Sequence, residues 1–147
     1  MYDEILVPTD GSEAVETAIE HAFDLADGYD ATVHALYVVD DTHGGAGLMG
    51  VDAQDTVSEL RTMGEEAVDT IATRGEDRGL TVETAVNEGL PHEGILDYAD
   101  DNGIDLLVMS SRGRSGVSRF VFGSVTERVV RLSDRPVLVV SRAVTDG

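Results

Sequence analysis

The 147-residue chain has no cysteine, no tryptophan and no lysine; its ten basic residues are all arginine. Without cysteine there are no disulfides, thiolate metal centres, iron–sulfur clusters or cysteine nucleophile. Without lysine there is no Schiff-base chemistry, no catalytic ammonium group and no Walker-type phosphate loop. No apolar run approaches the roughly 20 residues that span a bilayer. The opening Met1-Tyr2-Asp3-Glu4 puts acids where a signal peptide carries a basic segment, so a soluble, cytoplasmic protein is expected. Positive charge is scarce: 29 acidic side chains face ten arginines, a net charge of -19 at pH 7. That balance argues against a nucleic-acid or membrane-surface binder, since either needs a cationic face. Length favours one domain, residues 1–147, large enough to bury about 68–70% of the surface its unfolded chain exposes.

High acidity without lysine and with 5% aromatic residues resembles the composition of proteins from salt-loving archaea; the alternative is an acidic bacterial protein from a GC-rich genome. At about 1 M salt the Debye length falls to roughly 3 Å, which removes most of the self-repulsion of a compact anionic chain. The charge is also uneven. Residues 1–111 hold 3 arginines and 26 acids, a balance of -23, whereas residues 112–147 hold 7 arginines and 3 acids, a balance of +4. A cationic segment in so acidic a chain suits an anionic ligand, unless it is a chance cluster on a solvated surface.

Strand and helix patterns alternate along the chain. Ile5-Leu6-Val7-Pro8 reads as a short buried strand stopped by Pro8 and the turn Asp10-Gly11-Ser12. A helix follows with Val15, Ala18, Ile19, Ala22, Leu25 and Ala26 on one face, closed by Gly28. Residues 31–39 form a second strand, and the glycine-rich 41–51 a flexible loop. A long helix over about 53–78 buries Val57, Leu60, Ala67, Val68 and Ile71 and ends at Gly79. Residues 80–86 alternate as a strand. Pro91 begins a helix with Ile95, Leu96 and Ala99 inward, ending at Gly103. Residues 104–109 are a fourth strand, Val125, Val129, Val130 and Leu132 mark a last helix, and Val137–Val140 a fifth strand.

Five strands interleaved with four helices predict an α/β fold, a single doubly wound five-stranded parallel sheet with helices on both faces. Continuous apolar strands are what a sheet covered on both sides requires. By analogy with such sheets, the order 3-2-1-4-5 sets strands 1 and 4 side by side. The segments after Pro8 and Met109 then share the crevice at the strand carboxyl ends, where ligands bind.

Residues 110–126 read SSRGRSGVSRFVFGSVT. Gly113 and Gly116 follow the fourth strand, and Gly123-Ser124 stands where the last helix is expected to begin. Small residues let a backbone approach an anion, and unpaired amides at a helix start point at it. Ser124 and Thr126 add hydroxyl donors, while Arg112, Arg114 and Arg119 add positive charge. By residue type alone the segment is equally a plain turn between strand and helix. It is not the dinucleotide fingerprint, because the G-x-G-x-x-G spacing is missing and the segment follows the fourth strand.

Over nearly its whole length the sequence resembles the universal stress protein family, whose fold is of the adenine nucleotide alpha hydrolase-like type. The resemblance rests on ILVPTDGSE, on Gly89, Pro91, Ile95 and Ala99, on IDLLVM, and on RGRSGVSRFVFGSVTERVV followed by PVLVV. Nucleotide-binding members carry Gly-x2-Gly-x9-Gly-Ser/Thr. Here Gly113 is the second glycine, residues 114–122 intervene, Gly123-Ser124 completes the motif, and Ser110 holds the place of the first glycine. A demand for positive φ there would strain serine by about 1–2 kcal/mol; a demand for smallness alone would not. The resemblance implies ATP, accompanied by Mg2+, as ligand. It places Pro8, Thr9 and Asp10 near the adenosine and the Val38 backbone against the adenine. Ser110, Ser111, Arg112, Gly113, Arg114, Ser115 and Gly116, with Ser124, Val125 and Thr126, would hold phosphates and ribose. It also implies a two-fold homodimer through Val137–Val140, and an unidentified protein partner.

Alternatives stay open at this stage. Asp10 suits an Asx turn as well as a ligand contact, Thr9 can simply finish its strand, and Arg112 and Arg114 can be solvated. His21, His34, His43 and His92 show no metal-ligand spacing. Asp100-Asp101 and Glu65-Glu66 are helix neighbours that do not share a face. Asp40-Asp41 follows strand two and reads as an acidic loop or a cation site beside phosphates. Ser115 and Ser118 have no activating histidine nearby. The leading expectation is a nucleotide-binding stress-response module whose ATP hydrolysis is slow at most, because no water-activating base is visible. Its rivals are an interaction module with a vestigial pocket and a true phosphoryl- or adenylyl-transfer enzyme.

Overall fold

A computed structural model describes residues 2–40, 53–111 and 119–141. The elements alternate: β1 (Glu4–Pro8), α1 (Glu16–Tyr29), β2 (Thr32–Val39), α2 (Ala53–Asp77), β3 (Val82–Glu88), α3 (Pro91–Asp101), β4 (Leu106–Ser110), α4 (Arg119–Leu132) and β5 (Val137–Val140). A 3-10 turn, Glu13–Val15, leads into α1. The five strands form one parallel sheet in the order β3-β2-β1-β4-β5, as expected. The loop expected at 41–51 lies outside the described residues.

Side chains of a strand alternate between faces, and β1 shows the result. Ile5 and Val7 join the core under α1 and α2, with Val33, Ala35, Phe23 and Ile71. Leu6 joins the core under α3 and α4, with Leu36, Leu107, Met109, Ile95 and Val129. All three β1 residues are inaccessible to solvent, which is why the central strand reads as an unbroken apolar run. Two arginines of α2 clasp α1: Arg74 bonds Glu16 and Glu20, and Arg78 bonds Asp24. Both guanidinium groups lie over the Phe23 ring, a cation–π arrangement that covers its edge.

Several boundaries differ from the sequence expectation. Helix α1 runs past Gly28 to Tyr29 and is closed by Asp30, whose φ of 56° is left-handed; a short polar side chain tolerates that conformation. Strand β3 starts at Val82, not residue 80, because Gly79 (φ 82°) turns the chain and the Leu80 amide caps α2 at the Gly75 carbonyl. Helix α4 begins at Arg119, before the first apolar residue assigned to it. Within it Val130 and Leu132 are 49% and 57% exposed, whereas Val129 is buried. One step along a helix turns a side chain by about 100°, which swings Val130 off the face of Val129; Leu132 is the last residue of α4.

Candidate functional site at the carboxyl ends of β1 and β4

Strands β1 and β4 lie side by side, with Ile5 opposite Leu106 and Leu6 opposite Leu107. The chain winds outward from them in opposite directions, so their carboxyl ends open on the crevice where ligands enter sheets of this class. On the β1 side, Thr9 is buried: its amide donates to the Leu36 carbonyl at 2.8 Å, and its hydroxyl accepts the Gly11 amide at 2.9 Å. Asp10 Oδ1 accepts the Ser12 amide at 2.9 Å, the expected Asx turn. Gly11 has φ 81°, a left-handed conformation that a residue carrying a Cβ would resist. Pro8, Thr9 and Asp10 thus form one tight exit from β1. Val38 lies two residues beyond Leu36 on β2. Peptide groups alternate along a strand, so the Val38 peptide faces the β1 side beyond that last rung.

On the β4 side, Ser110 is wholly buried in strand backbone. Among the described residues Asp30 is the sole non-glycine with positive φ, so serine is unstrained at the place of the first motif glycine. The Ser110 hydroxyl donates to the Ala14 carbonyl at 2.9 Å, and the Thr126 hydroxyl donates to the Ser110 carbonyl at 2.8 Å. The Ser111 amide donates to the Val140 carbonyl and so ties this segment to β5. Gly123 and Ser124 fall in the second turn of α4, not at its start. That corrects the expectation of helix-start amides at these two positions. Ser124 is exposed, whereas Val125 and Thr126 are buried. Arg112, Gly113, Arg114, Ser115 and Gly116 lie outside the described residues, as do Asp41, His43 and Ser118.

A cavity of about 570 Å³ opens beside Asp10, between the 10–13 turn and α2. Asp10, Glu13 and Glu66 supply carboxylates to its walls, Tyr37 and Ala67 apolar surface, and among the described residues no arginine lines it. Such a wall repels phosphate.

Sequence reading missed a buried polar chain at the opposite end of the sheet. His34, 3% exposed, lies 2.7 Å from Glu4 Oε1 through Nε2 and 2.7 Å from the Tyr98 hydroxyl through Nδ1. One ring nitrogen thus faces the Glu4 carboxylate and the other the Tyr98 hydroxyl, so both ring nitrogens have partners. Burial, reinforced by Glu83 and Glu4, pushes the Tyr98 phenol above its usual value. The partners are 30 and 64 residues from His34, beyond the reach of local pattern. Among the described residues no group of three or more metal-ligating side chains converges, and no helix is long and apolar enough to cross a membrane.

A family model, the universal stress protein family, matches residues 1–141. The chain belongs to the universal stress protein family. Universal stress protein MJ0531 of Methanocaldococcus jannaschii is 37% identical over 143 residues, covering 97% of this chain and 84% of that protein. Universal stress protein MJ0577 of the same organism is 35% identical over 157 residues, covering 97% and 96%. A solved structure of MJ0577 superposes with a TM-score of 0.86 at 32% identity, covering 99% of each chain. Two more distant solved universal stress proteins share the fold, with TM-scores of 0.71 and 0.66 at 24% and 20% identity. The first is a complex with cAMP and covers 95% of this chain and 97% of its own. The second, from Archaeoglobus fulgidus, is a complex with dAMP and covers 94% and 97%.

Proposed function

We propose that this universal stress protein binds an adenine nucleotide, ATP with Mg2+, in the crevice beyond β1 and β4. Occupancy then sets its conformation and its engagement of a protein partner in the stress response. One observation carries the reading: the β1 exit at Thr9-Asp10, the Val38 peptide and the hydrogen-bonded pair Ser110 and Thr126 lie at the strand ends where the sheet reverses. The donor set has the polarity a nucleotide needs. Hydrogen-bond acceptors, the Asp10 carboxylate and the Val38 carbonyl, stand at the base and ribose end. Ser124 is the hydroxyl donor on the α4 side, where Mg2+ would accompany the phosphates; Arg112 and Arg114, outside the described residues, are the arginine donors that the resemblance assigns to that end. The relatives whose complexes are named for cAMP and dAMP support an adenine base. Hydrolysis is expected to be slower than about 1 s⁻¹, the lower end of ordinary enzymes, because no general base faces the phosphate end among the described residues.

The test begins with protein purified in high salt and denatured; released adenine nucleotide is expected by chromatography. Saturating ATP, at 100 times its dissociation constant, should stabilise the fold by about 2.7 kcal/mol. Gly123→Val should abolish that shift by blocking backbone approach while the protein remains folded. An unchanged ATP shift in this variant would put the cradle elsewhere.

Among the described residues β5 is the last strand of the sheet, which supports a homodimer as a second part of the proposal. Leu138 and Val139 are 37% and 39% exposed there. The Ser111 amide bonds the Val140 carbonyl and the Leu107 amide the Pro136 carbonyl, so the peptides of Val137 and Val139 face outward. An unpaired apolar edge is a template for a second strand. Val139→Pro removes one outward donor while leaving the β4 ladder intact, which an edge strand tolerates. Light scattering should show dimers for the parent chain and monomers for the variant; a dimeric variant rules this edge out.

A further inference from the structure

Ser110 is where this chain departs from its family's motif, and its hydroxyl has a specific partner. Ser110 Oγ donates at 2.9 Å to the carbonyl of Ala14, 96 residues away in the 3-10 turn that continues the Thr9–Ser12 exit from β1. Ser110 itself closes β4, and its carbonyl accepts the Thr126 hydroxyl of α4 at 2.8 Å. All of this is buried: Ser110 is 0% exposed, Thr126 5% and Ala14 8%. Thr126, Ser110 and Ala14 therefore form one polar chain across the crevice floor, from the α4 wall to the β1–α1 wall. Glycine at 110 would keep the carbonyl bond to Thr126 and lose the link to Ala14.

We propose that Ser110 is a positioning residue that fixes the spacing of the two walls, and thereby makes the site selective for ligands long enough to bridge them. The proposal rests on the nucleotide reading above. Hydrogen bonds of the ladder hold β1 and β4 together only as far as their paired residues; past the strand ends each wall leaves on its own course. The β1–α1 wall carries the adenosine contacts, and the α4 wall carries those to phosphate. Fixed spacing raises the effective concentration of the second wall for a ligand already held by the first. It does nothing for a ligand that touches one wall alone. ATP and ADP bridge; adenosine does not.

The experiment compares ATP, ADP and adenosine binding by calorimetry in the parent chain, Ser110→Ala and Ser110→Gly. Amide hydrogen exchange of residues 11–15 is followed in parallel without ligand. Ser110→Ala is expected to weaken ATP and ADP roughly tenfold, the weight of one buried hydrogen bond, while adenosine affinity changes far less. Ligand-free, the variant should exchange faster at residues 11–15 and unchanged in α3. Equal losses for ATP and adenosine would overturn the proposal, because the hydroxyl would then act through the fold as a whole. Parent-like ATP affinity in both variants would overturn it too, reducing Ser110 to a small filler. Failure of the parent chain to bind any of the three sinks the nucleotide reading; the exchange data then decide the wall-to-wall link, with parent-like protection in Ser110→Ala refuting it.

Discussion

Gly64→Val is expected to lower folding stability by about 3 kcal/mol, the upper part of the range for overpacking a filled core. A Cβ at Gly64 would stand 2.5 Å from Tyr37 Cδ1 and 2.8 Å from its Cγ. The Tyr37 ring is 4% exposed, and the atoms approached, Cγ and Cδ1, sit next to its backbone anchor, so it has little room to retreat. The intrinsic helix preference gained on leaving glycine is at most about 1 kcal/mol and does not offset the clash. Gly75, three turns further along the same helix face, repeats the arrangement: a Cβ there would stand 2.5 Å from Val82 Cγ2. These two glycines let α2 lie close on β2 and β3. Gly28, with nothing within 4 Å of its missing Cβ, is the control, and Gly28→Ala should stabilise by up to about 1 kcal/mol. Urea unfolding checks all of this: the midpoint should fall for Gly64→Val at an unchanged slope. A Gly64→Val midpoint equal to that of the parent would mean that α2 stands off the sheet.

The second large effect is that of salt. Raising KCl from about 0.1 M to about 2 M should raise the melting temperature by roughly 10 °C or more, about 3 kcal/mol for a chain of this length. Nineteen net negative charges are confined within a folded radius of gyration near 15 Å, against roughly 40 Å unfolded, so repulsion bears mainly on the native state. The Debye length shrinks over this range from about 10 Å to below 3 Å, less than the spacing of most surface carboxylates. Salt also screens attraction. The clasp of Arg74 with Glu16 and Glu20, and of Arg78 with Asp24, loses strength, as does Arg135 with Asp100. Partly exposed pairs of this kind contribute little, and they involve few of the 29 acids. Relief of repulsion wins. A melting temperature flat or falling with KCl would show that native charges are already balanced by position.

The element order and the two-sided core were legible because both depend on local pattern. A strand covered on both faces must be apolar throughout, and Ile5-Leu6-Val7 and Leu106-Leu107-Val108-Met109 are. Pro91 at the first turn of α3 and Gly79 after α2 are punctuation read without partners. Asp10 was legible as a turn for the same reason: its bond is to Ser12, two residues away. Reading failed where the controlling contact was tertiary. The end of α1 at Asp30 depends on a backbone conformation that composition does not announce. Val130 is apolar yet outward, because period alone does not say which stripe meets the sheet.

By itself, then, the sequence determined the family, the alternation of strands and helices and the position along the chain of a cationic, small-residue segment after the fourth strand. These follow from periodicities and short motifs that every residue window carries within itself. Only the tertiary structure decided what Ser110 does, where Gly123 falls along α4, why α2 needs glycine at 64 and 75, and which groups enclose His34. Each of those answers lies in atoms brought within hydrogen-bond or van der Waals reach from distant parts of the chain, and such contacts decay over a few ångströms of space, whatever the separation in sequence.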